Sequence, residues 1–581
     1  MLAATLLFTA ACGQGTASED GTTASTTTAA GHTTGDNGSE TETATPTDND
    51  SDEGSGEGSD ETDAPETPGA EGGAVADPEV PNLNREGFPI VEEKITLTAM
   101  VNQTAVQPDF NEILIWDHYE DLTNIHIEWD SVPSTSIAER RNLALATNDL
   151  PDLFYRSSMG EEDLAKYGPE GSFIALNDLI DTYAPNFAGI MAEFEDVRKG
   201  VPMADGMIYA FPGLSNTLPV EINPKLYINT AWLEAVGHEM PTTTDEFYEM
   251  LTAFKNDDPN GNGEADEIPW TSSTLEHIFR TLRGSWGLGN RGFGGGYWDI
   301  NPETDELRFM PFSPEYREML EFINKLYSEG LIDEEIFTMN LEQVLAKSES
   351  DTIGSFSFTN TAAASNTYEE NYRGLEVALE GPHGDQMWAG ARAHIAGKGA
   401  FIITEANEHP EASVRWIDYF YGDEGAKLVY MGIEGETYHE VEEGVYELLP
   451  EIVDNIPEGS SFDQVVSQFV PYAGGGLPTM SNEQVFKGGE MQPIAYEAAM
   501  NMLPFIPEER WAPFSYTPEE SEQNSEILAD LGAFITQNQA EFIQGSKSFD
   551  EFEAFVEEAR GMRFDSYAAN VEAAYERYQS N

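Results

Sequence analysis

The sharpest chemical signal in the chain is one acidic turn with closely spaced oxygen donors. Its carboxylate and amide side chains alternate along the chain, so their oxygens can converge on one point, and Gly261 and Gly263 permit the tight backbone path. Hard oxygen ligands at this density suit Ca²⁺. The predicted metal ligands are the side chains of Asp258, Asn260, Asn262, Asp266 and Glu267 and the backbone carbonyl of Glu264.

The turn begins like an EF-hand loop and departs from that pattern at its end. Gly263 stands at the sixth position, as an EF-hand requires, but Pro269 occupies the twelfth, where a bidentate Glu is usual. The alternative is an Asn/Gly/Asp-rich surface turn that holds no metal. We expect a structural Ca²⁺, because three carboxylates at this spacing are costly to leave unneutralised.

A capped helix leads into the turn and must position it. Thr243 or Thr244 can serve as the N-cap, and the carboxylates of Asp245 and Glu246 in the first turn favour the helix dipole. Four apolar residues then recur at helical spacing and are predicted to face a core: Phe247, Met250, Leu251 and Phe254.

Segments 227–237 (YINTAWLEAVG), 241–255 (PTTTDEFYEMLTAFK) and 258–269 (DPNGNGEADEIP) resemble family 1 extracellular solute-binding proteins. The most similar group is the large lipoproteins that include the alginate-oligosaccharide-binding proteins of ABC importers, in which the matching turn carries Ca²⁺. A second matching block lies at 409–435, and the resemblance spans 95–578.

The order of predicted elements is that of an α/β protein. Strands at 95–101, 125–129 and 151–155 alternate with helices at 111–122 and 137–147, which predicts a parallel sheet covered by helices. The resemblance implies a two-lobe, periplasmic-binding-protein-like (type II) fold with a hinge, each lobe being a mostly parallel sheet flanked by helices. The lobes are then 85–215 with 393–445, and 216–392 with 446–581, joined by crossings near 211–227 and 392–401.

The N-terminal part is predicted to anchor the chain rather than to fold. Residues 1–12 resemble the remnant of a bacterial lipoprotein signal, with small residues before Cys12, and we expect the true start to lie upstream of Met1. Residues 13–84 are rich in Thr, Ser, Gly, Asp and Glu, which predicts a disordered acidic tether. Lipid on Cys12 would hold the protein at the outer face of the cytoplasmic membrane. A short apolar N-terminus with an incidental cysteine is the alternative.

Charge and cysteine content limit the possible partners. The 28 basic and 106 acidic residues give a net charge of −78, which would repel phosphates and excludes a nucleic-acid partner. Cys12 is the only cysteine in the sequence, so no intramolecular disulfide can form. We expect contact with the membrane through the lipid anchor only.

Aromatic and polar side chains are the candidate ligand contacts. Sugars present flat C–H faces that stack on Trp and Tyr, and hydroxyls that need hydrogen-bonding groups such as Arg. Core packing is the alternative for every Trp, since Trp is usually largely buried. The predicted ligand-binding residues are Trp116, Trp270, Trp286, Trp388, Arg392 and Tyr438.

The function predicted from these features is capture of a carbohydrate, an oligosaccharide, between the lobes of a monomer that delivers it to ABC permease subunits. We expect no enzyme, because the sequence has no GxSxG elbow and no HExxH motif. A secreted glycan-active enzyme and a carbohydrate-binding surface adhesin are the alternatives.

Overall fold

The computed structural model describes residues 73–361, 369–442, 444–453, 456, 462–471, 476–483 and 493–581. Cys12 and the predicted tether up to residue 72 lie outside the described residues. The last part of the predicted tether is folded, contrary to expectation: β1 (Val75–Ala76) pairs with β2 (Asn84–Glu86), and Leu83 is buried. This hairpin could not be predicted from composition, because the segment has only three widely spaced apolar residues, Val75, Val80 and Leu83.

The first lobe is built on a six-stranded sheet. Its strands are β3 (Ile95–Gln103), β4 (Ile125–Pro133), β5 (Leu153–Met159), β6 (Phe211–Asn216), β13 (Ile395–Ile403) and β16 (Met480–Asn482). They lie in the order β16-β6-β13-β5-β3-β4. β3 pairs in parallel with β4 from Ile95↔Ile125 and with β5 from Ala99↔Leu153. The predicted parallel β-α-β-α-β unit is therefore confirmed.

Both faces of this sheet are buried, as parallel sheets require. On one face Ala99 and Val101 join an apolar core that includes Trp116 and Trp416. On the other face Met100, Phe154 and Ile402 pack in a second core with Ile137 and Leu164. The sheet is thus a rigid layer, and polar binding groups are expected at the ends of its strands rather than on its faces.

The second lobe is built on a four-stranded sheet with the order β12-β7-β11-β8. Its strands are β7 (Lys225–Asn229), β8 (Thr271–Ser272), β11 (Ser355–Phe358) and β12 (Tyr372–Gly374). β7 is antiparallel to both β11 and β12, whereas β8 and β11 are parallel.

In the described part of each sheet, one strand runs against all the others. In the first sheet it is β13, and in the second sheet it is β7. Each of these strands is the first strand along the chain after it crosses from the other lobe. A chain that enters a lobe at the edge where parallel strands end must run opposite to those strands. The predicted mostly parallel sheet is therefore confirmed for the first lobe and wrong for the second, where the central position of β7 makes two of the three pairings antiparallel.

The remaining strands form two small hairpins, β9 (Trp298–Ile300) with β10 (Leu307–Phe309) and β14 (Tyr438–Glu442) with β15 (Val445–Leu448). The helices are α1 (Leu114–Thr123), α2 (Ile137–Thr147), α3 (Glu161–Tyr167), α4 (Asn177–Tyr183), α5 (Pro185–Glu193), α6 (Glu195–Gly200), α7 (Leu218–Glu221), α8 (Thr230–Val236), α9 (Thr244–Asn256), α10 (Leu275–Arg283), α11 (Pro314–Ser328), α12 (Leu341–Ser348), α13 (Pro410–Asp418), α14 (Asp423–Met431), α15 (Pro450–Val453), α16 (Phe462–Val466), α17 (Pro493–Met502), α18 (Pro518–Gln544), α19 (Phe552–Ala559) and α20 (Asp565–Ser580).

The helix before the acidic turn forms as predicted. Thr243 is the N-cap of α9 and its hydroxyl accepts a hydrogen bond from the Glu246 N–H at 3.1 Å. The four apolar residues at helical spacing are all buried: Phe247, Met250, Leu251 and Phe254. α9 is therefore fixed to the core of the second lobe, and its end at Asn256 delivers the chain into the turn.

One predicted lobe boundary is wrong. Residues 446–581 were assigned to the second lobe, but β16 pairs in parallel with β6 of the first sheet. The Leu114 and Ile115 amides also donate hydrogen bonds to the carbonyls of Gln468 and Phe469. The described residues 462–471 and 476–482 thus belong to the first lobe, where β16 covers the open edge of β6. A three-residue strand has no periodicity from which its sheet could be predicted.

Candidate functional site

The carboxyl ends of the parallel strands of both sheets meet at the passages between the lobes. A first passage, 217–224, joins the end of β6 to the start of β7, where Lys225 pairs with Phe358, the last residue of β11. A second passage, 375–394, leads to the start of β13, where Ile395 pairs with Leu214 near the end of β6. Ligands of open α/β sheets bind outside the carboxyl ends of the strands. The candidate binding site is therefore the cleft between these two edges.

On the edge of the first lobe, the end of β5 is strained and polar. Arg156 and Ser158 have φ values of 47° and 58°, in the left-handed region that non-glycine residues seldom occupy. Among the described residues, no partner bonds the buried Ser157 Oγ or the buried Oδ1 of Asn102 at the end of β3. Strained backbone costs free energy and persists only where the surrounding structure holds it, and such positions cluster at binding sites. The end of β5 is therefore a candidate part of the site.

On the edge of the second lobe, polar side chains follow β8 and β11. Ser272 is the last residue of β8, and its Oγ lies 3.0 Å from Nδ1 of His277 on α10. The ring centroid of His277 is 5.9 Å from that of Phe358. Thr359 Oγ1 donates a hydrogen bond to Asn223 Oδ1 on the first passage, at 3.0 Å. This edge is thus in direct contact with the chain that links the lobes.

A buried ionic network ties the passages together. Arg510 Nη1 donates hydrogen bonds to Glu221 Oε2 on the first passage and to the Arg392 carbonyl on the second. His394, next to β13, bonds Asp196 through its backbone N–H and its ring. Although burial opposes ionisation, the hydrogen bonds from His394 hold the pKa of Asp196 below its ordinary value. These bonds define the hinge on which the lobes are joined, near both predicted crossings.

In the acidic turn, side-chain oxygens that could bind a metal accept hydrogen bonds from the turn's own backbone. Asn260 Oδ1 accepts from the Asn262 N–H at 3.0 Å, Asn262 Oδ1 accepts from the Glu264 N–H at 2.7 Å, and Asp258 accepts from the Gly263 N–H at 3.2 Å. Gly261 and Gly263 have φ values of 68° and 78°, as the predicted tight path requires.

The turn leaves one carboxylate oxygen unsatisfied. Among the described residues no partner bonds the buried Oε1 of Glu267, and burial, followed by repulsion from Asp266 and Asp258, raises the pKa of Glu267. In the described part of the chain no three His, Cys, Asp or Glu side chains are arranged to hold a metal by themselves. A cation in this turn would therefore need the amide and carbonyl oxygens of Asn260, Asn262 and Glu264 as well.

Three of the predicted sugar-stacking tryptophans are enclosed by protein. Trp270, Trp286 and Trp388 are 0%, 3% and 1% exposed, so none offers a ring face to a ligand in this conformation. Trp270 Nε1 donates to Ser357 Oγ at 3.1 Å, and Trp388 Nε1 donates to the Pro224 carbonyl at 3.1 Å. Their glycine-rich sequence settings reflect close backbone packing: at Gly284, two residues before Trp286, a Cβ would lie 1.7 Å from the Met387 carbonyl oxygen.

The other three predicted contacts lie in different places. Trp116 packs in the first-lobe core, with its ring centroid 5.8 Å from that of Trp416. Tyr438 is buried in the β14–β15 hairpin, outside both main sheets. Arg392 lies on the second passage, where its backbone N–H bonds the Glu221 carbonyl at 3.0 Å and its side chain is partly exposed. Arg392 is thus the predicted contact that combines a position at the hinge with access to solvent.

Sequence reasoning missed several residues of the candidate site. Glu221, Ser272, His277, Phe358 and Arg510 all lie at the facing edges or on the passages. Two signals could have found some of them: Glu221 interrupts the apolar run Leu218–Ile222, and the polar Ser272 ends a strand, with His277 five residues further along the chain.

Two sheets whose carboxyl ends face each other across linking passages define the class of two-lobe binding proteins. A family model for bacterial extracellular solute-binding proteins matches residues 100–427. The chain belongs to this family.

The chain is similar to characterised members of the family over most of its length. It is 29% identical to the fructooligosaccharide ABC transporter substrate-binding protein FusA of Streptococcus pneumoniae, over 86% of this chain and 94% of FusA. The structure of FusA in complex with kestose matches with a TM-score of 0.65 and 27% identity, over 84% of this chain and 100% of that chain. An EF-hand mutant of FusA in complex with fructo-nystose matches with a TM-score of 0.63 and 26% identity over the same shares.

An HMO-binding, ABC-transporter-associated solute-binding protein of Bifidobacterium longum infantis has the same fold, with a TM-score of 0.70 at 20% identity over 84% of this chain and 98% of that chain. Among the described residues, none of the helices has both the length and the apolar composition needed to cross a bilayer.

Proposed function

We propose that the chain captures an oligosaccharide in the cleft between its lobes and delivers it to the permease of an ABC importer. The observation that carries this proposal is the meeting of two carboxyl-terminal sheet edges at the passages of a chain that belongs to the solute-binding family. The similarity to FusA extends over nearly the whole of both chains, which supports an oligosaccharide as the ligand class. Capture followed by hinge closure needs no covalent chemistry.

The acidic turn is proposed to hold a structural Ca²⁺. The donor set consists of oxygens only, and the buried, unpaired Glu267 Oε1 is an oxygen for which a cation would be a partner. The existence of an EF-hand mutant of FusA supports the same interpretation. The ion would link the end of α9 to Pro269, whose carbonyl accepts a hydrogen bond from Ser355 Oγ at 2.7 Å, and so fix the turn to β11.

Lipid attachment at Cys12 is proposed to hold the protein on the outer face of the cytoplasmic membrane. The family is extracellular, and Cys12 follows small residues at the position where a lipoprotein signal ends. The acidic segment between Cys12 and the folded residues repels itself and would hold the lobes away from the bilayer.

A thermal-shift screen tests the ligand class. The panel contains kestose, fructo-nystose, galacturonan oligosaccharides and N-glycans, with monosaccharides as controls. A ligand at 100 times its Kd adds about 2.7 kcal/mol to the free energy of unfolding, which is a clear rise in Tm. Stabilisation by one oligosaccharide, with no new reducing ends after incubation, supports capture. New reducing ends would favour a glycan-active enzyme, and no stabilisation by any member would contradict the proposal.

A further inference from the structure

Behind the carboxyl edge of the second sheet, five side chains form a hydrogen-bond network whose direction is fixed. Indole nitrogen is only a donor, so Trp270 Nε1 donates to Ser357 Oγ at 3.1 Å. Thr281 Oγ1 donates its proton to the His277 carbonyl at 2.8 Å, and so it accepts from Ser357 Oγ at 2.9 Å. Ser272 Oγ donates its proton to the Ser357 carbonyl at 2.7 Å.

This network determines which nitrogen of His277 carries hydrogen. Because Ser272 has already donated its proton, its oxygen can only accept from His277 Nδ1, 3.0 Å away. Burial, followed by the nearby Arg280 guanidinium, lowers the pKa of His277 to about 4, against the opposing effects of Glu276 and of a hydrogen bond to the Ser357 backbone. The charge of Lys225 acts in the same direction as Arg280. The imidazole is therefore neutral, with hydrogen on Nδ1 and a lone pair on Nε2.

The lone pair of Nε2 is not enclosed by protein on the partly exposed His277 ring. In the described part of the chain Nε2 makes no hydrogen bond, and it is not among the enclosed polar atoms. Beside it lies Phe358, partly exposed at the end of β11, and Thr359 follows with its bond to the first passage. An acceptor and an apolar ring at one edge match the two surfaces of a sugar, its hydroxyls and its C–H face.

We propose that Nε2 of His277 accepts a hydrogen bond from a hydroxyl of the captured oligosaccharide, with Phe358 against the sugar ring. This inference rests on the proposed function, since it assigns a contact to the same ligand. Ser272 and Trp270 are positioning residues: Ser272 holds the tautomer, and both bond Ser357, Trp270 at its Oγ and Ser272 at its carbonyl. Trp270 thus acts on the ligand through the network rather than by stacking.

Calorimetric titration of two variants tests the contact. The probe is an oligosaccharide that the unmodified chain binds in the screen, beginning with kestose. His277→Leu removes the acceptor and should weaken binding tenfold or more, whereas His277→Gln places an amide oxygen near the position of Nε2 and should recover part of the loss. The control is His383→Leu, since His383 is an exposed residue paired with Glu318, and its affinity should not change.

The outcomes separate the two proposals. Equal affinity of His277→Leu and the unmodified chain would overturn the contact and leave the proposed function intact. Failure of the unmodified chain to bind any oligosaccharide of the panel would contradict both.

The tautomer has its own readout in the ligand-free protein, by ¹⁵N spectroscopy of the histidine ring. His277 should show hydrogen on Nδ1 and no titration between about pH 5 and 8, and Ser272→Ala should mix the tautomers. Hydrogen on Nε2, or a titration within this range, would overturn the inference even if a variant failed to fold.

Discussion

Arg510 Nη1 donates a hydrogen bond to Glu221 Oε2 across 2.6 Å, and the two residues belong to segments 289 positions apart. The same nitrogen bonds the Arg392 carbonyl at 2.9 Å. One guanidinium therefore ties the first passage, the second passage and the C-terminal part of the chain at a single point. A hinge held in this way can bend about a fixed axis instead of separating.

Arg510→Gln should destabilise the protein by about 3 kcal/mol, because removal of one partner of a buried pair leaves an unpaired charge. The Glu221 side chain is only 6% exposed, so water cannot replace the lost partner. Urea unfolding measures the loss. Arg140→Gln is the control: Arg140 is 57% exposed and faces Asp130 at 3.4 Å, so this change should cost less than about 1 kcal/mol.

The double variant Glu221→Gln/Arg510→Gln should recover part of this loss, since the unpaired charge is then gone. If Arg510→Gln, Glu221→Gln and the double variant all unfold at the same urea concentration as the unmodified chain, the hinge network contributes nothing to stability.

Removal of calcium should lower the melting temperature. EDTA should reduce Tm, Ca²⁺ should restore it better than Mg²⁺, and Asp258→Ala should abolish the difference, because Asp258 supplies a carboxylate at the start of the turn. Asp245→Ala, in the first turn of α9 and outside the acidic turn, is the control. Calorimetry that finds no Ca²⁺ binding at millimolar concentration, with Tm unchanged by EDTA, would show that the turn holds no metal.

The calcium effect should depend on pH through Glu267. Its pKa is raised by burial and by Asp266 and Asp258, so the folded, metal-free chain holds this proton more tightly than the unfolded chain does. The stability that the proton gives is present at low pH and is lost as the pH rises through the raised pKa. Ca²⁺ needs the ionised carboxylate, so the rise in Tm caused by Ca²⁺ should shrink as the pH falls from neutral through the raised pKa of Glu267. A Glu267→Gln variant that keeps the same pH dependence would exclude Glu267 as its origin.

Ligand binding should bring the lobes together. Each sheet is a rigid layer, and among the described residues the passages at 217–224 and 375–394 link the two sheets and can bend. Small-angle scattering should show a smaller radius of gyration with a bound oligosaccharide than without it. An unchanged radius with saturating ligand would indicate a rigid groove, as in an adhesin.

Membrane attachment should depend on the sulfur atom of Cys12. When expressed with a complete signal, the protein should partition with membranes, and Cys12→Ser should release it because no thiol remains to carry lipid. Ser18→Ala in the same segment is the control. Equal partitioning of the Cys12→Ser variant and the unmodified protein would remove the lipid anchor from the proposal.

The sequence by itself determined the elements whose signal is local. The N-cap at Thr243, the core face of α9, the limits of α2 and the strands that begin at Ile95 and Ile125 all follow from neighbouring residues, because capping and hydrophobic periodicity act within a few positions. The resemblance of two motif blocks added the family and the two-lobe fold.

Only the tertiary structure decided which residues lie at the cleft. Trp270, Trp286 and Trp388 occupy loop-like sequences, yet the fold encloses their rings, since contacts with residues far along the chain exclude water from them. The contact of Glu221 with Arg510, and the direction of the bonds from Trp270 to His277, arise from segments that meet only after folding. The exposure of a side chain and the position of a proton are properties of its spatial neighbours, so they cannot be read from residues adjacent in sequence.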